Sequence, residues 1–234
     1  MARHDNALQG VMLVALLILF PMTIQLLVHQ DDSPLWKTVY VEVESDDDDD
    51  DAEARSESRD RDDVARIATF NIKIFGETKM GKADVVSELV NITLRYDMVV
   101  VQEIKDLDQT VPYDFLDAIN AESNETYGLV LSERSGQQED DQGGQEQYAF
   151  YYRTSRFNVE SAWLHNDSEL DEFQREPFIS TFQLLSNNGT VLENITLITV
   201  HTKPANAVNE TAALHNVVET YKTNTTESDI IILG

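Results

Sequence analysis

The amino-acid sequence predicts an α+β domain of paired β-sheets flanked by helices, and three observations carry that expectation. After residue 64 short apolar strands recur between amphipathic helices, the strands outnumber the helices, and several are joined by turns too short for a crossover helix. Short turns favour antiparallel pairing over an all-parallel sheet. In order, a strand is predicted over 66–71, where apolar residues run up to polar Asn71 and a glycine-bearing turn. Val85, Val86, Leu89, Val90 and Leu94 make one apolar stripe, which predicts a helix over 82–94. The run at 97–102 reads as a buried strand, followed by a helix over 112–120 and a strand over 128–132. A polar Gly/Gln/Asp-rich loop is expected over 133–145. Strands over 148–153, 161–164, 178–184 and 195–200, a helix over 207–222 and a last strand over 229–233 complete the pattern. No internal repeat is present.

With 234 residues the chain holds one domain of ordinary core size plus an appendage. It carries 43 acidic against 17 basic residues, for a net charge of −26. Such a body repels nucleic acid on average, so a DNA or phospholipid substrate requires a bridging divalent cation or a local patch of opposite sign. Residues 31–63 hold 15 acidic and 4 basic residues, and residues 64–234 hold 27 and 12, so the domain is acidic in its own right. The count of 0 cysteines excludes disulfides, thiolate chemistry and cysteine-zinc sites.

Residues 8–28 are mostly apolar and long enough to cross a bilayer as a helix. Arg3 and His4 precede the run and Asp31 and Asp32 follow it, which sends everything after it to the lumen or outside. The rival is a cleaved signal peptide with its apolar core at 11–20, leaving a secreted protein, but no small-x-small cleavage pattern follows. The expected organisation is a membrane segment over 1–30, an acidic disordered stalk over 31–63 that contains the aspartate run 46–51, and a catalytic domain over 64–234. Residues 36–43 alternate weakly and read as a short strand or as nothing. Asn91, Asn124, Asn166, Asn188, Asn194, Asn209 and Asn224 each open an N-x-S/T sequon, in keeping with a glycosylated, exported domain.

Chemistry gathers at strand ends. One strand stops at Asn71, another at Glu103 and a third at His201, a placement suited to holding a metal or a phosphate. The segments F-N-I-K-I-F-G-E-T-K-M, R-Y-D-M-V-V-V-Q-E-I-K-D, E-Q-Y-A-F-Y-Y-R, F-Q-R-E-P-F and V-H-T-K-P-A-N-A-V-N-E follow one another in this order. Together they resemble successive landmarks of the deoxyribonuclease I family, within the endonuclease/exonuclease/phosphatase superfamily. The resemblance implies a four-layer α/β/β/α sandwich with its site where strands end. It implies that Glu103 binds a catalytic Mg²⁺ with Asn71 beside it, and that Glu146 and His201 form a carboxylate–imidazole acid/base pair. Arg175 would steady the scissile phosphate, with Lys105 a second phosphate-binding group and Ca²⁺ a structural or bridging ion.

Each role suits its side chain. Hard cations take oxygen ligands, an imidazole titrates near neutrality, and a guanidinium spans two phosphate oxygens. Departures from the family pattern are also present. Lys105 stands where relatives usually carry Arg, which keeps the charge and loses bidentate contact. The loop before Glu146 is acidic where the family offers basic and aromatic groups to DNA, and a Cys pair often found before the R-E-P motif is missing. The resemblance covers the first two-thirds or so of such a domain. The family's later Asp-Phe-Asn and Ser-Asp-His segments do not occur, so residues 1–234 alone are expected to be inactive or nearly so. The expected activity of the intact protein is metal-dependent hydrolysis of DNA. The alternatives are a lipid or inositol phosphate phosphodiesterase of the same superfamily and a non-catalytic surface glycoprotein that keeps the fold. No protein partner is inferable.

Overall fold

The computed structural model describes residues 25–29, 36–42, 64–136, 144–225 and 229–234. The chain forms strands β1 (Gln25–His29), β2 (Trp36–Glu42) and β3 (Val64–Phe75), then helices α1 (Glu77–Met80) and α2 (Ala83–Thr93). Strand β4 (Met98–Ile104), helix α3 (Val111–Glu122), and strands β5 (Tyr127–Leu131), β6 (Gln147–Arg153), β7 (Phe157–Leu164), β8 (Phe178–Leu185) and β9 (Val191–Thr199) follow. Helix α4 (Ala207–Asn224) and strand β10 (Ile230–Leu233) end it.

The strands make two mixed sheets, one ordered β1-β2-β3-β4-β6-β5 and the other β10-β9-β8-β7. The pairs β3–β4 and β9–β10 are parallel, and the remaining pairs are antiparallel. This is the α+β class read from the sequence.

Alternation along the strands explains how the layers meet. Ile67, Met98, Val100, Tyr148 and Phe150 from the larger sheet pack against Phe157, Phe178, Phe182, Ile195 and Leu197 from the smaller one. Phe182 meets Phe150, Tyr152 and Phe157 edge to face, the first at 5.4 Å and 60°, while Tyr148 stacks on Phe178 at 6.4 Å and 9°. The opposite parity of the larger sheet, including Val99, Val101 and Tyr151, receives α2 and α3. Phe115 of α3 sits edge-on to both Phe75 and Tyr151, at 5.2 and 5.1 Å. On the far side of the smaller sheet, Ile179 and Ile198 are covered by Ala213, Leu214 and Val217 of α4.

Two N-terminal expectations change. The membrane-helix segment at 8–28 lies outside the described residues up to 24, but Gln25–Val28 belong to β1, which pairs antiparallel with β2. Among the described residues no helix is long and apolar enough to cross a membrane. Within the segment read as a disordered stalk, β2 pairs antiparallel with β3 from Trp36↔Phe70 to Glu42↔Val64. The weak alternation at 36–43 was the signal, and an edge beside β3 supplies the partner that a lone strand lacks. The aspartate run at 46–51 and most of the acidic loop at 133–145 lie outside the described residues.

Elsewhere helix α1 stands where only a glycine-bearing turn was expected, and the other differences are of length. Strand β7 begins at Phe157 rather than 161, and β3 continues through an irregularity to Phe75 rather than stopping at Asn71. The β8–β9 hairpin closes on a polar turn in which Asn188 Oδ1 accepts from Ser186 Oγ at 2.6 Å and Thr190 Oγ1 at 2.7 Å. Gly189 adopts φ 79° there, a conformation that glycine enters without steric cost.

Candidate active site

The polar strand ends converge at one edge of the two sheets. Glu146 immediately precedes β6, Glu103 lies near the end of β4, and His201 follows β9. All six sequence-predicted site residues, Asn71, Glu103, Lys105, Glu146, Arg175 and His201, join one connected network.

Glu146 is its hub. The carboxylate is buried, with 3% of the side chain exposed; Oε2 accepts from His201 Nδ1 at 2.8 Å, and Oε1 takes Arg175 at 2.8 Å and Lys105 Nζ at 3.2 Å. Burial alone would raise its pKa. The hydrogen bond from His201, the charge of Arg175 and the hydrogen bond from Lys105 outweigh it and hold the carboxyl below its usual value. Because Glu146 accepts, His201 Nδ1 is the donor, and the neutral ring presents a lone pair at Nε2. Nε2 lies 3.5 Å from both Asn71 Nδ2 and Glu103 Oε1.

Glu103 and Asn71 form the second half. Asn71 Nδ2 donates to Glu103 Oε1 at 2.9 Å, and Ile74 N donates to Oε2 at 3.0 Å. Each carboxylate oxygen thus keeps lone-pair capacity for a further partner. Lys73 N donates to Asn71 Oδ1 at 2.8 Å.

This arrangement depends on the irregularity in β3. Between the pairs Asn71↔Gln102 and Phe75↔Ile104 the strand spends two more residues than β4 does. Lys73 and Ile74 adopt φ of 48° and 56°, and Glu103 itself adopts 58°. For a β-branched isoleucine this is an outlier, and such conformations collect where function requires them. After the bulge the strands close tightly. Lys105 N donates to Phe75 O at 2.8 Å, and a Cβ on Gly76 would stand 2.5 Å from Lys105 O, so only glycine fits.

Glu103 could offer carboxylate oxygens to a hard divalent cation, and Asn71 could add the remaining lone pair of Oδ1, which already accepts from Lys73 N while Nδ2 faces Glu103. Among the described residues no group of three or more His, Cys, Asp or Glu side chains is gathered to hold a metal.

Three contributors were not anticipated. Tyr148, fully buried, accepts the His201 backbone N–H at its hydroxyl at 2.9 Å, and burial raises its pKa. In an apolar strand a tyrosine reads as core, and nothing in the sequence marks its hydroxyl. Gln102 bonds Val200 O at 3.1 Å and so ties β4 to the strand end that bears His201. A glutamine inside a strand buried on both faces was the available signal. Lys79 of α1 donates to the carbonyls of Ile72 and Lys73.

No family model matches the chain. Deoxyribonuclease-1 of Oryctolagus cuniculus is 32% identical over 173 residues, covering 72% of this chain and 59% of the relative. Deoxyribonuclease-1 of Homo sapiens is 33% identical over 173 residues with the same two shares, 72% and 59%. The chain therefore spans 59% of the length of these curated relatives. Among solved structures, an endonuclease/exonuclease/phosphatase family protein from Bacteroides thetaiotaomicron superposes with a TM-score of 0.45 at 14% identity, covering 71% of this chain and 61% of that one.

Proposed function

Because this chain belongs to the deoxyribonuclease I family, we propose that the protein is a metal-dependent phosphodiesterase that hydrolyses DNA. The observation that carries this reading is the position of His201: Nδ1 is anchored on Glu146 at 2.8 Å, and Nε2 is directed to the Glu103/Asn71 pair at 3.5 Å. In this reading His201 Nε2 takes the proton from the attacking water, and Glu146 fixes the tautomer and stabilises the imidazolium that forms. Arg175 and Lys105 shift from sharing Glu146 Oε1 toward the phosphate oxygens of the bound strand. Glu103 and Asn71 would hold Mg²⁺, which when bound supplies Lewis-acid stabilisation of charge on the phosphate. With a net charge of −26, the protein depends on divalent cations and on Lys105 and Arg175 to accept a polyanion at all.

The same reading keeps the domain lumenal or extracellular, a secreted form being the alternative, while Gln25–Val28 and Trp36–Glu42, as strands of the larger sheet, no longer belong to the anchor read over 8–28 or the tether read over 31–63. Asn124, Asn166 and Asn188 are exposed sequon asparagines in loops and are the expected glycan acceptors. Glycosidase treatment of protein from its native membrane fraction should lower its apparent mass; an unchanged mass removes this part of the reading.

The decisive experiment is nicking of supercoiled plasmid by protein expressed with whatever reading frame follows Gly234, in Mg²⁺ and Ca²⁺ and then in chelator. Nicking that requires metal and vanishes in His201→Ala is expected. A folded protein that leaves plasmid intact overturns DNA as substrate. Release of headgroups from phospholipid or inositol phosphates would then identify the lipid-directed reading, and inertness toward both a non-catalytic glycoprotein.

A further inference from the structure

The bulge of β3 presents its backbone to two different partners. Its N–H groups hold the oxygen pair, Lys73 N on Asn71 Oδ1 at 2.8 Å and Ile74 N on Glu103 Oε2 at 3.0 Å. Its carbonyls at Ile72 and Lys73 both accept from the ammonium of Lys79. The segment between these two sets of bonds contains Lys73 and Ile74 at positive φ. Left without bonds, a β-branched residue returns to the extended or right-handed region, and the Ile74 N–H then leaves the carboxylate. We propose that Lys79 is a positioning residue for the metal-holding pair: by clamping two carbonyls it keeps the bulge in the conformation that aims Asn71 and Glu103 at a divalent cation.

This inference rests on the reading of Glu103 and Asn71 as metal-holding residues. Lys79 touches neither side chain in the structure and acts through the bulge. Burial lowers its pKa, and the charge of Glu103 opposes that shift.

Electrostatics and positioning predict opposite signs, which makes the proposal testable. An ammonium within the field of Glu103 repels a second cation, so removing it should tighten metal binding if charge were its whole effect. If the clamp dominates, removing it loosens binding, and loss of such outer partners typically weakens metal affinity by about 10–100-fold.

The measurement is binding of Mn²⁺, an Mg²⁺ surrogate, to the folded protein by titration calorimetry, without substrate and independent of turnover. Lys79→Met is expected to weaken Mn²⁺ about tenfold, at the lower end of that range. Lys79→Arg, which keeps charge and donors, should restore most of the affinity. Adding Ile74→Gly to Lys79→Met should recover part of the loss, because glycine holds positive φ without a clamp. Unchanged or tighter binding by Lys79→Met overturns the inference. If the methionine variant does not fold, Lys79→Gln is read by the same two outcomes. Glu103→Gln separates the two levels: a wild-type protein that does not bind Mn²⁺, or binding indifferent to Glu103→Gln, overturns the metal-holding reading and the clamp with it. Loss in Glu103→Gln with none in Lys79→Met overturns the clamp alone.

Discussion

At one end of β4 and β6 stand Asp97 and Arg153, and at the other stand Glu103 and Glu146. Both ends bury a carboxylate beside an arginine, yet their valences are used differently. Arg153 spends its donors on protein: Nε on Tyr127 Oη at 2.9 Å, Nη1 on Asp97 at 3.2 Å and Glu125 at 3.1 Å, and Nη2 on Leu94 O at 3.0 Å. Asp97 in turn accepts Arg66 N at 2.8 Å, and Tyr127 donates to Tyr96 O at 2.7 Å. The knot is closed. At the opposite end Arg175 Nε is buried with no hydrogen-bond partner among the described residues, the bond from Arg175 Nη1 to His201 O is long at 3.4 Å, and the neighbours of His201 Nε2 among the described residues, Asn71 Nδ2 and Glu103 Oε1, stand 3.5 Å away. A saturated network fixes strands, whereas one with capacity to spare can receive a ligand.

The largest effect should fall on the open end. His201→Ala is expected to reduce metal-dependent plasmid nicking by about 10²–10⁴ while the thermal midpoint moves little, because His201 is partly exposed and Glu146 retains Arg175 and Lys105. Next comes the closed end. Arg153→Met leaves Asp97 without its buried partner and should cost about 3–5 kcal/mol in denaturant unfolding, with the specific activity of the folded fraction unchanged. A loss of activity per folded molecule would erase the distinction between the two ends.

Tyr148→Phe sits between them, since it removes the acceptor of the His201 N–H; about 1 kcal/mol of stability and a measurable fall in turnover are expected together. The smallest effect is acid sensitivity. Glu146 has a folded pKa below its unfolded one, so its contribution is full above the ordinary carboxylate value of 4.5 and is lost as pH falls through the lowered folded value. Denaturant midpoints measured against pH should therefore fall on the acid side less steeply in Glu146→Gln than in the parent. Equal slopes would show that Glu146 is not the group whose protonation matters.

The candidate site was more legible in the sequence than the backbone that builds it. Asn71, Glu103 and His201 were visible because a polar residue closing an apolar strand breaks an otherwise regular pattern. The bulge at 72–74 was not, since a register insertion is defined against β4 and no period-2 reading of one strand contains its partner. The same limit hid Lys79, whose ammonium bonds carbonyls that only that bulge brings within reach. Helix α1, four residues long, is below the length at which periodicity speaks. Strand β2 was ambiguous on its own and gains its place from pairing with β3.

The hairpin turn between β8 and β9 has a practical side. Arg175 precedes β8 and His201 follows β9, so Asn188 stands at the opposite end of both strands from the candidate site. Eight residues of extended chain in β8 separate them by about 26 Å at roughly 3.3 Å per residue. A dye, a resin linker or a bulky sugar fixed at that tip would project away from the candidate site, and the protein could be immobilised there with that edge facing solution.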